Sequence, residues 1–286
     1  MFVTCPHLDR FLTLISIIAT ASTLNAAVVV TEDFDNMTFG ELNGQSGTFG
    51  ISGNWKAQTA ITEIVSTPAD FGVTVATGET IKAAGKSLQL TGNSSSAISV
   101  DLTTIQTNDF YVSFLVKMEA GSIGTNDFAT LWFGEGSHIG APAVGIKAQL
   151  GVNNTDFMGR ITGNREAYAP EQLVVGESYY LVAKVSKADG SSTYNQLDFW
   201  VNPGSGDFAT PEGTSTGNIS FDEFKTIGIR SVNLDSDDVL LFDNFKVTTE
   251  WSDLFIPEPS ITLLAGITGT ILIFRRKRPY ALLRAR

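Results

Sequence analysis

The side chains that could do chemistry are few, and short alternating segments carry most of them. In "QLDFWVN", Leu197, Phe199 and Val201 fall on one side of an extended chain, and Asp198, Trp200 and Asn202 on the other. A tryptophan flanked by a carboxylate and an amide can stack on the apolar face of a sugar while its neighbours bind hydroxyls. Trp200, Asp198 and Asn202 are therefore candidate glycan contacts. The competing reading puts Trp200 in a second layer or under a loop. In "VLLFDNFKV", Val239, Leu241, Asp243, Phe245 and Val247 share one face, and Leu240, Phe242, Asn244 and Lys246 the other. If the first set turns inward, Asp243 is a carboxylate in an apolar row and must find a partner.

Hydrolytic and nucleophilic chemistry find less support. Retaining glycoside hydrolysis needs two carboxyls roughly 5–5.5 Å apart, and residues i and i+2 on a strand are a natural source. Asp33/Asp35 and Asp235/Asp237 have that spacing, but both pairs lie at strand ends or in loops and read as solvated turns. His138 is the sole histidine after His7, in the Gly-rich "GEGSHIGAP", with no Gly-x-Ser-x-Gly elbow. No phosphate loop, dinucleotide fingerprint or histidine pair for zinc occurs. Cys5 is the one cysteine, so the chain after it has no thiol nucleophile, thiolate metal site or disulfide. No motif names a catalyst or requires a cofactor, and the chain reads as non-enzymatic.

The elements that must position these residues are strands. "VVVTEDF", "KSLQL", "FYVSFLVKM", "FATLWF", "SYYLVAKVSK", "NQLDFWV", "FKTIGIRSV" and "VLLFDNFKV" are short, largely alternating and rich in Val, Ile, Phe and Tyr. Between them stand punctuators such as "TGNSSS", "KADGSS", "NPGSGD" and "DSDD". The pattern predicts one all-β domain over residues 28–255, an antiparallel β-sandwich or barrel, with an immunoglobulin-like sandwich as an alternative. Formal net charge is −11 over 286 residues, and Arg10 and the six basic residues from Arg275 onward lie outside residues 28–256. A centre that acidic, with no basic stripe, makes nucleic acid an unsuitable partner.

Both ends read as addresses. Residues 1–27 have Arg10, a short apolar core from Phe11 to Ala19 and small residues before Ala26 and Ala27, the layout of a secretory signal peptide. Residues 256–286 hold Pro257-Glu258-Pro259, an apolar run from Ile261 to Phe274, and then Arg275-Arg276-Lys277-Arg278. The basic cluster fits the cytoplasmic flank of one C-terminal transmembrane helix, with the domain outside. The three-part order resembles the PEP-CTERM sorting signal of bacterial envelope proteins. That resemblance implies processing by an exosortase, a membrane-embedded cysteine transpeptidase-like enzyme, and passage toward the cell surface or the surrounding exopolysaccharide. A plain tail anchor is the alternative.

"EDFDNMTFGELNGQSG" with "GNWKA", and the closing "LLFDNFKVTTEW", resemble the first and last strands of the concanavalin A-like or laminin G-like jelly roll. The resemblance implies a jelly-roll sandwich and brings two expectations. Laminarinase-like hydrolases of this kind carry Glu-x-Asp-x-x-Glu on one strand, and neither Glu32-Asp33-Phe34-Asp35 nor Asp222-Glu223 matches it. In calcium-binding relatives an aspartate on the closing strand joins oxygens near the chain start, which makes Asp243 with Asp33 or Asp35 a candidate calcium site. The functional expectation is an exported, non-catalytic surface or matrix protein associated with envelope polysaccharide. A divergent glycan hydrolase or lyase, or a matrix component without a ligand, are the alternatives.

Overall fold

The computed structural model describes residues 28–57, 61–92, 98–124, 127–152, 155–163 and 165–255. The expected leader 1–27 and the sorting residues Pro257, Glu258, Pro259, Arg275, Arg276, Lys277 and Arg278 lie outside the described residues. Among the described residues no helix is long and apolar enough to cross a membrane.

The strands are β1 (Val28–Glu32), β2 (Gly40–Glu41), β3 (Ile51–Lys56), β4 (Thr62–Ser66), β5 (Gly72–Thr74) and β6 (Thr80–Lys82). There follow β7 (Lys86–Thr91), β8 (Ile98–Gln106), β9 (Phe110–Ala120), β10 (Phe128–Gly134), β11 (Ala143–Lys147) and β12 (Phe157–Arg160). The last are β13 (Glu166–Ala169), β14 (Ser178–Ser186), β15 (Gln196–Val201), β16 (Gly213–Thr216), β17 (Phe224–Val232) and β18 (Val239–Thr248). A nine-stranded sheet has the order β16-β15-β14-β9-β18-β7-β4-β2, with β1 also pairing β18. A seven-stranded sheet has the order β13-β12-β11-β10-β17-β8-β3. All pairings are antiparallel, and the chain passes repeatedly from one sheet to the other, so the fold is an all-β jelly-roll sandwich.

Period-two patterning explains the layers. Alternate residues of the long strands, such as Phe114 and Val116 on β9, Leu131 and Phe133 on β10 and Leu197 and Phe199 on β15, meet between the sheets. Burying side chains of this size contributes about 1.5–3 kcal/mol each. The outward residues of the nine-stranded sheet are also buried, because the β5–β6 hairpin and a 3-10 turn at Trp251–Phe255 cover them. Phe71, Leu115, Tyr180, Val182, Trp200 and Leu254 form this third layer.

Register shifts interrupt several pairings, and the one in the middle of β18 matters here. Asp243 is opposite Leu115 of β9 but Lys246 is opposite Ser113, so β18 carries one extra residue there. Asn244 takes it up in the left-handed region, at φ 52°. Beyond the bulge the faces exchange: Leu240, Phe242, Phe245 and Val247 all enter the main core, while Leu241 joins the outer layer. The single inward row expected from Val239 through Val247 is therefore corrected, since strict alternation does not survive an inserted residue.

Candidate functional site

The expected glycan contacts are structural. Trp200 does point away from the main core, as alternation requires, but it is 2% exposed. Its ring packs 5.0 Å from that of Trp251, and Nε1 donates to the Asp207 carbonyl at 3.1 Å. Asp198 is buried and accepts from Gln196 Nε2 at 2.8 Å and Thr214 Oγ1 at 2.7 Å. Asn202, at φ 51°, accepts the Tyr180 N–H at 2.7 Å. Strand alternation could not show that a hairpin and a turn close over this face, and the solvent platform is corrected accordingly.

The expected calcium residues Asp243, Asp33 and Asp35 lie near one another, at the bulge in the middle of β18 and the turn after β1. Asp243 is 1% exposed and accepts from Ser87 Oγ at 3.0 Å and from the Asn244 N–H at 2.7 Å. Burial, aided by the charges of Asp33 and Asp35, pushes its carboxyl up to about 8. Asp33 accepts the Asp35 N–H at 3.1 Å, and Asp35 accepts the Lys86 N–H at 2.7 Å. Two backbone oxygens of the opening turn, Asp35 O and Met37 O, already hold the Lys86 ammonium at 2.6 Å each. Among the described residues no three acidic, histidine or cysteine side chains converge as a metal would require. A calcium ion needs several hard oxygens, and the Lys86 ammonium holds two of those that the opening turn offers. The carboxylate that organises the opening segment is Glu32, fully buried and bound by the N–H groups of Phe34 (3.0 Å) and Thr48 (3.1 Å) and by Trp55 Nε1 (3.3 Å).

"DSDD" is a turn, with Asp238 accepting the N–H groups of Asp235 at 2.7 Å and Ser122 at 2.9 Å. His138 falls in a different setting, the outer face of the seven-stranded sheet, where its ring lies 6.1 Å from that of Trp132.

That face carries a cluster not anticipated from the sequence. Antiparallel register sets Glu166, Arg160, Ala143, Trp132 and Gly228 side by side in one row. The next row runs Tyr168, Met158, Gly145, Thr130 and Arg230, and Lys147 stands opposite Phe128 beyond it. Glycine at 228 is needed because a Cβ there would lie 2.5 Å from the Trp132 ring, so the indole lies across the bare strand. Both guanidiniums lean over the Phe128 ring, Arg230 at 5.2 Å and Arg160 at 5.9 Å from its centroid.

The electrostatics of this shelf are uneven. Glu166 accepts from Lys147 Nζ at 2.5 Å and Tyr168 OH at 2.6 Å, and Arg160 Nη1 lies 3.7 Å away. Burial opposes the ionised form of Glu166, but these neighbours outweigh it and hold its carboxyl below the usual range. Among the described residues no carboxylate pairs with Arg230. The Nε of Arg230, the Nε of Arg160 and Trp132 Nε1 are each buried without a hydrogen-bond partner. His138 is pushed below its usual value by burial and by the charges of Arg230 and Arg160. Two cations thus serve one carboxylate, and Arg230 stands apart from it. At the two ends of the shelf, the loops after β10 and β11 expose Ile139 and Leu150.

No family model matches the chain, and no curated protein matches it. Solved structures with a similar chain path include the globular domain of T. cruzi calreticulin, at 12% identity and a TM-score of 0.44, covering 88% of this chain and all of that one. The carbohydrate recognition domain of Emp47p is 12% identical with a TM-score of 0.45, covering 79% and 98%. Domain 4 of AbnA, an extracellular arabinanase of Geobacillus stearothermophilus, is 14% identical with a TM-score of 0.39, covering 80% and 99%.

Proposed function

We propose that this chain is an exported, non-catalytic surface or matrix protein that associates with glycan through the outer face of its seven-stranded sheet. The observation that carries the binding reading is the shelf itself: on this outward face the half-buried Arg230 meets no carboxylate among the described residues, and Tyr168 stands half-exposed on the same row. A guanidinium offers five N–H donors, and sugars offer oxygens to accept them. The non-catalytic part is supported by where the carboxylates go. Asp33, Asp35, Asp238 and Asp243 all bind backbone N–H groups or lie under other side chains, and none stands free opposite a partner.

The address follows from the two ends of the sequence. A leader at 1–27 exports the domain, and Pro257-Glu258-Pro259 with the apolar run and Arg275-Arg276-Lys277-Arg278 hands it to an exosortase-like enzyme in the membrane. Two tests separate address from activity. Intact mass of protein from cells and medium, with and without Glu258→Ala, should give a product that starts near Val28, ends near Pro257 and depends on Glu258. A product retaining Arg286 in the membrane fraction would sink the sorting reading. Retention of the full-length protein on immobilised neutral and acidic polysaccharides tests the binding reading, and no retention by any of them would end it.

A further inference from the structure

We propose that the shelf takes a carboxylate-bearing sugar unit of an acidic polysaccharide, with Arg230 as the main anion contact and Arg160 beside it. This rests on the glycan reading above and gives it a ligand class. The first argument is charge placement. The chain carries −11 overall, yet this one sheet face holds Lys147, Arg160 and Arg230, and Glu166 is the carboxylate that Lys147 and Arg160 share. Glu166 is already engaged by Lys147 and Tyr168, with Arg160 at 3.7 Å, so Arg230 is left over. Farther along the face Asp101 is bound by Thr226 at 2.8 Å and approached by Lys56 at 4.0 Å, and it does not compensate Arg230.

The second argument is the chemistry of the side chain. A guanidinium keeps its proton at any pH a protein meets, so burial cannot relieve Arg230 by neutralising it. Its planar fork matches a carboxylate in two parallel hydrogen bonds, a geometry that a hydroxyl cannot reproduce. Both guanidiniums are held against Phe128, at 5.2 and 5.9 Å, so little side-chain freedom is left to lose on binding. The acidic remainder of the protein does not forbid an anionic ligand. Exposed charges farther away than about 8 Å are largely screened at physiological salt, whereas a half-buried contact is not.

The test is calorimetric titration of the full-length protein with oligogalacturonate, a neutral galactose oligomer and a sulfated dextran oligomer. The expected result is binding of oligogalacturonate in preference to the other two, weakened about tenfold or more in Arg230→Gln with an unchanged melting curve. Arg230→Lys keeps the charge without the fork and serves if the glutamine variant does not fold. A several-fold loss in folded Arg230→Lys supports the proposal, and wild-type affinity in it overturns the fork contact. Equal binding of the neutral oligomer overturns the anion assignment and leaves the glycan reading standing. Equal binding of the sulfated oligomer overturns the carboxylate geometry. No binding to any of the three, with no retention on the immobilised panel, overturns both readings.

Discussion

Glu171 and Glu212 act on each other across the rim of the sandwich, one placed just after β13 and the other directly before β16. These are the edge strands of the two sheets, so the pair joins sheet to sheet. Glu171 Oε2 is buried and meets no protein donor, while Glu212 accepts the Val201 N–H at 3.0 Å. Glu212 is held up, to about 7, first by burial and then by the charge of Glu171.

The raised Glu212 carboxyl has a pH signature. The folded pKa of Glu212 is raised, so its contribution to stability is fully present below the ordinary glutamate range and is lost as pH rises through about 7. Glu212→Gln removes the titrating group and stays neutral at every pH. The melting-temperature difference between variant and wild type should therefore shift in the variant's favour from pH 4 to pH 8, and a flat difference would refute the raised carboxyl.

Asp243 follows the same sign over a wider window. Its stabilisation is complete below about 4 and is lost as pH rises through about 8, because the unfolded carboxyl ionises long before the buried one. Asp243→Asn keeps an acceptor for the Asn244 N–H and turns its amide N–H toward Ser87, whose hydroxyl then accepts and donates on to Thr67, so it should raise the melting temperature at pH 8 and change it little at pH 4. Destabilisation at pH 8 would show that the ionised form has a favourable partner.

Millimolar calcium is expected to leave the melting curve where it is, since Lys86 already binds Asp35 O and Met37 O. A calcium-dependent rise that disappears in Asp243→Asn would mean that the ammonium moves aside for the ion.

Trp200→Ala should cost about 3–5 kcal/mol in denaturant unfolding, the range for removing a large buried aromatic. Under conditions where the variant remains folded, its polysaccharide binding should equal wild type. Lost binding in a folded variant would return Trp200 to the ligand site.

Asn244→Gly keeps the left-handed backbone of the bulge and gives up only the 2.8 Å hydrogen bond to Lys82 O. Asn244→Ala gives up that bond and also forces an L side chain to φ 52°, which costs about 1–2 kcal/mol. Thermal melts should order wild type above Gly above Ala, and an Ala variant as stable as Gly would argue against the bulge.

Much of the fold was legible because the central strands announce themselves. β9, β10, β14, β15, β17 and β18 are long, aromatic and β-branched, and they bury both faces or one. The site was not legible, for a related reason. It stands largely on β11, β12 and β13, which are four or five residues long, interrupted by Gly145 and Gly159, and spend their outward positions on Lys147, Arg160 and Glu166. Short segments with glycine and charge read as loops, and only register shows that Arg160 of β12 and Arg230 of β17 share Phe128. The aromatic that drew attention, Trp200, was hidden by elements distant in sequence: β5, β6 and the turn at Trp251–Phe255. The signal that could have found the shelf is the imbalance of "FMGR", "EAYA" and "FKTIGIRSV", where basic and acidic residues do not pair off.

The position of β18 governs how the domain would carry mechanical load. A pull entering after Phe255 must first lift Trp251 and Leu254 from the outer layer, and it then reaches a strand hydrogen-bonded along both flanks. β9 holds one side of β18, and β7 and β1 hold the other in succession. When the opposing load enters through β7 or β9 at the far end of β18, tension along that strand strains its rungs together in shear. β1, the first strand of the domain, is paired with β18, so withdrawing the last strand also releases the first. The domain should therefore resist stretching and then rupture in a single event, with a lifetime set by its unfolding rate and not by gradual fraying.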